Sequence, residues 1–323
     1  MSYDVIIVGA SYAGLSAAMQ LARARRRVLI VDAGLPRNRF AHAAHGFLAQ
    51  DGRPPHDILR DAARQVAAYP TVEWAEGEAV EARKDDDGFT VALADGREER
   101  ATRLVLATGV RDELPPIPGM HERWGKTVLH CPYCHGYEVG DRALGVIAGS
   151  VHSPHQAALI PDWGPTTYFT QGTFEPDAEQ AAHLAARGVT VERTPVVELL
   201  GRAPELEAVR LADGRIIPIE AVFTAPRTYM ASPLAEQLGC AFEDGMSGAH
   251  LLVDATKQTT VEGVYAAGDA ASPMHNATLA SAAGVMAGLG AHRSLMGFAA
   301  RPPVVDTSNM EIPGREIGAG AGR

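Results

Sequence analysis

Residues 4–9, Asp-Val-Ile-Ile-Val-Gly, are an apolar, largely β-branched run that passes directly into Gly9-Ala10-Ser11-Tyr12-Ala13-Gly14. A run of this kind is the pattern of a strand buried on both faces of a parallel sheet. Residues 13–26 are mostly small or long and unbranched, which predicts a helix. Residues 27–31 return to the strand pattern and end at Asp32. Strand, glycine turn, helix and strand make one βαβ unit, and the unit commits the chain to a doubly wound α/β sheet.

The same logic organises the rest. Residues 36–55 carry Pro, Arg, His and Gly and predict a long loop with functional contacts; residues 57–68 predict a helix. Segments 77–83, 88–94 and 96–101 alternate around Asp-Gly turns, as in a small antiparallel insertion. Residues 103–108 predict another buried strand. Prolines at 115–119 mark a crossover, and residues 143–148 begin a second strand-turn-helix pattern. The chain is expected to cross back near 226–230, with a strand at 263–268 and a helix at 278–296. The expected architecture is therefore two doubly wound dinucleotide-binding-type domains, the second inserted into the first. Its parts are residues 1–117 and 228–300 for the first domain, 118–227 for the insert, and 301–323 for a tail too poor in apolar residues to pack independently. A length of 323 residues suffices for two cores.

The formal charge of −10 gives no electrostatic reason to bind nucleic acid or an anionic membrane. No apolar run approaches the roughly 20 residues of a membrane helix. The N-terminal residues show no secretory pattern, and three cysteines are too few for an extracellular disulfide framework, so a reducing cytosol is expected.

The turn from Gly9 to Gly14 is placed for a pyrophosphate, because backbone N–H groups and the positive end of a helix converge there. Ser11 stands where the usual fingerprint has its middle glycine. Asp32, eighteen residues after Gly14, can accept from both hydroxyls of a ribose. Ala107-Thr108-Gly109 and Gly268-Asp269 each follow a predicted strand, at the carboxyl edge where open α/β sheets bind ligands. Together these segments resemble the thioredoxin-reductase-like FAD flavoproteins over roughly residues 3–298. The resemblance implies FAD held by Gly9, Ser11, Ala13, Gly14, Asp32, Ala107, Thr108, Gly109, Gly268 and Asp269. It also places Asn38, Arg39, His45 and the backbone near Val80 against FAD, and points the helix at Asn276 and Ala277 toward the flavin. NAD is the rival ligand of this first domain.

Cys131-Pro132-Tyr133-Cys134-His135 admits four readings: a zinc half-site, a structural disulfide, a c-type haem attachment string and a redox dithiol. A zinc site lacks a second pair, since the remaining Cys240 is isolated and reads as a buried small hydrophobe. Haem attachment normally requires export. In the resembled family a redox-active pair occupies this place, which implies that Cys134 faces the flavin and Cys131 exchanges with substrate. His135, where thioredoxin reductases usually carry Asp, is the candidate base. A single structural hydrogen bond is its bland alternative, and His130, His45 and His275 are further candidates. No metal is expected.

The second domain should repeat the dinucleotide turn, but Gly149-Ser150-Val151-His152-Ser153-Pro154 puts Val151 where backbone must approach the ligand. After the strand at 166–170, Gln171-Gly172-Thr173-Phe174 offers neither an acid for a ribose nor an arginine cluster for a 2′-phosphate. CPYCHGYE beside a degraded nicotinamide turn resembles the dithiol oxidases of natural-product pathways, which close the disulfides of gliotoxin, holomycin and romidepsin. That resemblance implies a homodimer that oxidises a small-molecule dithiol with O2, through Cys131, Cys134 and His135. The competing expectations are an NAD(P)H- or ferredoxin-dependent disulfide reductase and a non-catalytic redox sensor that keeps FAD structurally.

Overall fold

The computed structural model describes residues 2–298; the tail assigned to 301–323 lies outside them. β1 (Tyr3–Val8), α1 (Tyr12–Arg23) and β2 (Val28–Asp32) form the expected unit. Val5 and Ile7 face one core, with Leu21 of α1, while Ile6 and Val8 face another, with Leu104 and Leu106. Burial on both faces explains why the strand lacks polar alternation. α2 (Pro55–Ala67) leads to β3 (Val72–Glu76), and β4 (Ala79–Asp85), β5 (Gly88–Leu93) and β6 (Glu98–Leu106) form an antiparallel meander.

Two details depart from the sequence expectation. β3 pairs parallel to β2 at the sheet margin, and only Ala75 of it is buried, so no apolar run announced it. The strands expected at 96–101 and 103–108 are one strand. No Gly or Pro interrupts β6, whose polar first half pairs with β5 and whose apolar second half pairs with β1.

β7 (Val110–Glu113) carries the chain out of this sheet. The next sheet orders β11-β10-β9-β15-β8, from β8 (Val128–Leu129), β9 (Leu144–Ile147), β10 (Thr166–Phe169), β11 (Thr190–Glu192) and, later in the chain, β15 (Ala221–Phe223), all parallel. Its helices are the short α3 (Pro132–His135), α4 (Ser153–Leu159) and α5 (Ala178–Ala186). β12 (Val196–Leu200), β13 (Ala208–Leu211) and β14 (Ile216–Pro218) add an antiparallel sheet. β16 (Arg227–Met230) then returns antiparallel to β7, so outgoing and incoming chain are stitched together. α6 (Leu234–Gln237) and the pair β17 (Phe242–Glu243) and β18 (His250–Leu251) precede β19 (Val264–Ala266), which joins β6 in the first sheet.

α7 (Ala277–Leu295) closes the fold against α1. A Cβ on Gly284 would lie 2.1 Å from the Ala13 carbonyl oxygen, and one on Gly288 would lie 2.7 Å from that of Ala17. Glycine costs a helix roughly 0.5–1 kcal/mol per residue against alanine, and here it lets two backbones touch. The contact fixes the α7 N-terminus beside the first turn. Among the described residues no helix is long and apolar enough to cross a membrane.

Candidate active site

The carboxyl ends of β1, β6 and β19 lie side by side, which gathers Gly9–Gly14, Ala107-Thr108-Gly109 and Gly268-Asp269 at one edge. A Cβ at Gly9 (φ +100°) would sit 2.3 Å from the Ala107 carbonyl oxygen, and one at Gly14 only 1.8 Å from that of Gly9. Those two positions must be glycine. Ser11 has φ −89°, an ordinary value, so the missing middle glycine leaves no backbone strain. Its hydroxyl does not cap α1. The N–H groups of Tyr12, Ala13 and Gly14 find no acceptor among the described residues, and they form the anion-facing end of a twelve-residue helix. Asp32 accepts from the N–H groups of Ala10 (2.8 Å) and Gly34 (3.1 Å), which closes the turn.

The loop expected to touch a cofactor divides. Asn38 donates to the Tyr12 hydroxyl at 3.1 Å, and its Oδ1 is buried with no partner. Arg39 bends back onto the Pro36 carbonyl and the Phe40 ring. His45 lies against the dithiol segment, 3.3 Å from Glu138 and 3.7 Å from Asp51. Val80 is at the bulge of β4, three residues after Gly77, whose N–H donates to the Asp32 carbonyl at 3.0 Å, and its own carbonyl accepts from Gln237 at 3.0 Å. Asn276 caps α7 by accepting from Thr278 and Leu279, which leaves the N–H of Ala277 as the open donor of that first turn.

Sequence reading missed the charged centre of this edge. Arg37 donates to Asp112 twice (3.0 and 2.5 Å) and to Asp269 at 2.8 Å. The two carboxylates raise the guanidinium's proton affinity despite its burial. The three residues come from the loop, β7 and the end of β19, and no local pattern connects them. Beside them His130 is pushed down to about 4, chiefly by burial and then by Arg37. His275 is also lowered by burial, with Asp269 opposing.

Cys131 and Cys134 are joined as a disulfide with Cα atoms 5.3 Å apart. α3 rests on Trp163: a Cβ at Gly136 would lie 2.8 Å from the indole, and the Tyr133 ring meets it edge-on. Both ring nitrogens of His135 are buried without a hydrogen-bond partner. Burial lowers its proton affinity first and His45 lowers it further, while Glu138 opposes them. The structural hydrogen bond considered for His135 is absent among the described residues. A neutral imidazole beside a disulfide can take a thiol proton.

At the end of β9 the second glycine turn is closed on itself. The buried Ser153 hydroxyl accepts from the N–H groups of Gly149 (3.0 Å) and Ser150 (3.1 Å), and the Ser150 hydroxyl accepts from His152. Pro154 has no N–H to offer. Gln156, on α4, donates instead to the carbonyl of His130. One expectation needs correction here. An acid does stand near the end of β10: Glu175 accepts from Thr170 (2.9 Å) and pairs with Arg193 (3.0 Å). It follows the strand by six residues, through a turn that hid it, and both its oxygens are engaged.

Two sheets with parallel strands ending in glycine turns at their carboxyl edges, and a disulfide from the cap into a four-residue helical turn, define a dinucleotide-type disulfide oxidoreductase. The chain belongs to the pyridine nucleotide-disulphide oxidoreductase family, which it matches over residues 3–284. It is thioredoxin-reductase-like, as its relatives show. It is 30% identical to the thioredoxin reductase sirT of Leptosphaeria maculans, over 91% of this chain and 95% of that one. An oxidoreductase from Agrobacterium tumefaciens superposes with a TM-score of 0.88 at 52% identity, covering 92% of this chain and 99% of the other. HlmI superposes with a TM-score of 0.86 at 38% identity, over 92% and 93%.

Proposed function

We propose that the protein is an FAD-dependent dithiol oxidase that forms a disulfide within a small-molecule dithiol and passes the electrons to O2. The observation carrying this reading is the self-satisfied turn at Gly149–Pro154. The helix-start N–H groups of His152 and Ser153 are taken by the Ser150 hydroxyl and carbonyl and Pro154 has none, so a nicotinamide cofactor finds no cradle, and the disulfide is left as the entry for electrons.

The first turn fits FAD on its own terms. The uncapped N–H groups of Tyr12, Ala13 and Gly14 would hold the pyrophosphate. Asp32 would meet the ribose, and Asp269, held by Arg37, the chain toward the flavin. The orphaned Asn38 Oδ1 and the open space around Gly109, where a Cβ would meet nothing within 4 Å, leave room at the same edge. When bound, FAD supplies a two-electron acceptor that oxygen can reoxidise, with hydrogen peroxide as product.

The protein's own steps are thiol exchanges. A substrate thiol attacks Cys131 and releases Cys134 as a thiolate, with its proton going to His135. The second substrate thiol then displaces Cys131, and the product leaves with its own disulfide. A homodimer accords with the face of α7 turned away from α1, where Leu279, Met286 and Leu289 are exposed at spacings of seven and three.

Oxygen consumption with a generic small dithiol tests the reading. Uptake should proceed without NADPH, yield stoichiometric peroxide and vanish in Cys134→Ser. The rival is a disulfide reductase, favoured by the names of curated relatives such as sirT and by Glu175 near the β10 end. Anaerobic NADPH should leave the flavin yellow; rapid bleaching would transfer support to the reductase.

A further inference from the structure

We propose that His45 and Glu138 form the proton exit of the dithiol site, with His45 accepting from His135 and Glu138 holding His45 in place. This deepens the thiol-exchange chemistry proposed above and rests on His135 acting as its base.

The need for a route follows from the balance of the exchange half-reaction. A substrate with two S–H groups becomes a disulfide, and the enzyme's S–S bond becomes one thiol at Cys131 and one thiolate at Cys134. Two protons enter and one stays on sulfur, so His135 must hand one on before the next exchange; oxygen reduction takes up a proton only later, at the flavin. His135 is the nearest base, yet both its nitrogens are buried and unpartnered. A base that keeps the first proton cannot serve the next cycle.

Geometry supplies one route. The 45–46 segment lies against the dithiol turn: a Cβ on Gly46 would sit 3.5 Å from the Tyr133 carbonyl oxygen. His45 Nδ1 is 3.3 Å from Glu138 Oε1 and 3.7 Å from Asp51 Oδ1. Asp51 in turn accepts from the Gly46 N–H at 2.9 Å and so fixes the loop. Exposure rises outward along the path. The His135 nitrogens are inaccessible, the His45 side chain is 21% exposed, Glu138 37% and Asp51 70%. The charged groups bearing on His135 are His45, from the loop, and Glu138, from its own segment; below it the dithiol turn packs on the neutral Trp163. A proton moving from His135 to His45 therefore passes toward carboxylates that meet water.

The test reads thiol exchange without oxygen or a nicotinamide. The holoprotein is mixed anaerobically with dithiothreitol, quenched with a maleimide, and the newly labelled cysteines are counted across pH. His45→Asn should slow reduction of the Cys131–Cys134 bond on the order of tenfold or more in dilute buffer, within the range of a lost acid–base group. Added imidazole should restore much of the rate, as it would not for a merely structural defect. Glu138→Gln should slow exchange less, and shift its pH profile toward lower pH because a carboxylate favouring protonated His135 is gone. If His45→Asn fails to hold FAD or to fold, His45→Gln takes its place, assayed with and without imidazole in the same way. Wild-type rates and profiles in both variants, or a loss that imidazole leaves untouched, would overturn the relay. The oxidase reading would survive that result, since it fails only if dithiol-driven oxygen uptake is absent.

Discussion

The turns at Gly9 and Gly149 share a strand, a glycine and a following helix, and differ in the fate of their backbone donors. In the first, no side chain caps the helix, and three N–H groups face outward. In the second, the matching N–H groups of His152 and Ser153 are taken by the Ser150 hydroxyl and carbonyl, and proline removes the third. The helix behind the second turn then uses Gln156 to support the residue preceding the disulfide. One plan serves a ligand at one end of the chain and a dithiol at the other. A few side chains at the helix start decide which.

The largest expected effect breaks the first turn. Gly14→Val puts a Cβ 1.8 Å from the Gly9 carbonyl, and the purified protein should be colourless, with no flavin absorbance. Gly149→Ala meets its nearest atom at 3.1 Å and should stay yellow. Equal flavin content in the two would erase the contrast.

Next in size is His130, which Gln156 holds. Its folded proton affinity is down at about 4 against an ordinary 6.5, so the unfolded chain binds the proton first as pH falls. Its contribution is intact above about pH 6.5 and is lost progressively toward pH 4, roughly 3 kcal/mol in all. Urea midpoints at pH 7 and 4.5 should diverge in the wild type and by clearly less in His130→Phe.

Ser153→Ala leaves the Gly149 and Ser150 donors without an acceptor and should cost ~1–3 kcal/mol, seen as a lower Tm. NADPH should still fail to bleach the flavin, because Val151 and Pro154 remain. Rapid bleaching in this variant would identify Ser153 as the sole closure. Smallest is Asn276→Ala, which removes the α7 cap for about 1 kcal/mol, measured by thermal unfolding.

Legibility in the sequence followed burial. β1, β2, β9 and β19 announced themselves by short apolar runs bounded by turn residues, β10 by β-branched and aromatic residues, and α7 by its length of small and apolar residues. β3 did not, because a marginal strand with one buried residue carries no pattern. The unity of β6 was hidden by its change of neighbours, polar beside β5 and apolar beside β1. At the site, glycine turns and paired cysteines were readable as local strings. The joining of Arg37 and Asp112 to Asp269, itself named from the Gly268-Asp269 string, was not, since the three are separated by 75 and 157 positions (112 − 37 and 269 − 112). Arg37 sat beside two named residues, and its neighbourhood was the available signal. The closing role of Ser153 had a signal too: a serine at the start of a helix, four residues after a glycine, is a habitual local acceptor.

β7 and β16 run antiparallel, with Glu113 opposite Arg227. The two severed ends of an excised 114–226 would thus already be neighbours, and a tight hairpin loop would rejoin them without disturbing the seven-stranded sheet. The chain between these two strands could therefore be exchanged as a unit, with the sheet that carries the first glycine turn left as it stands.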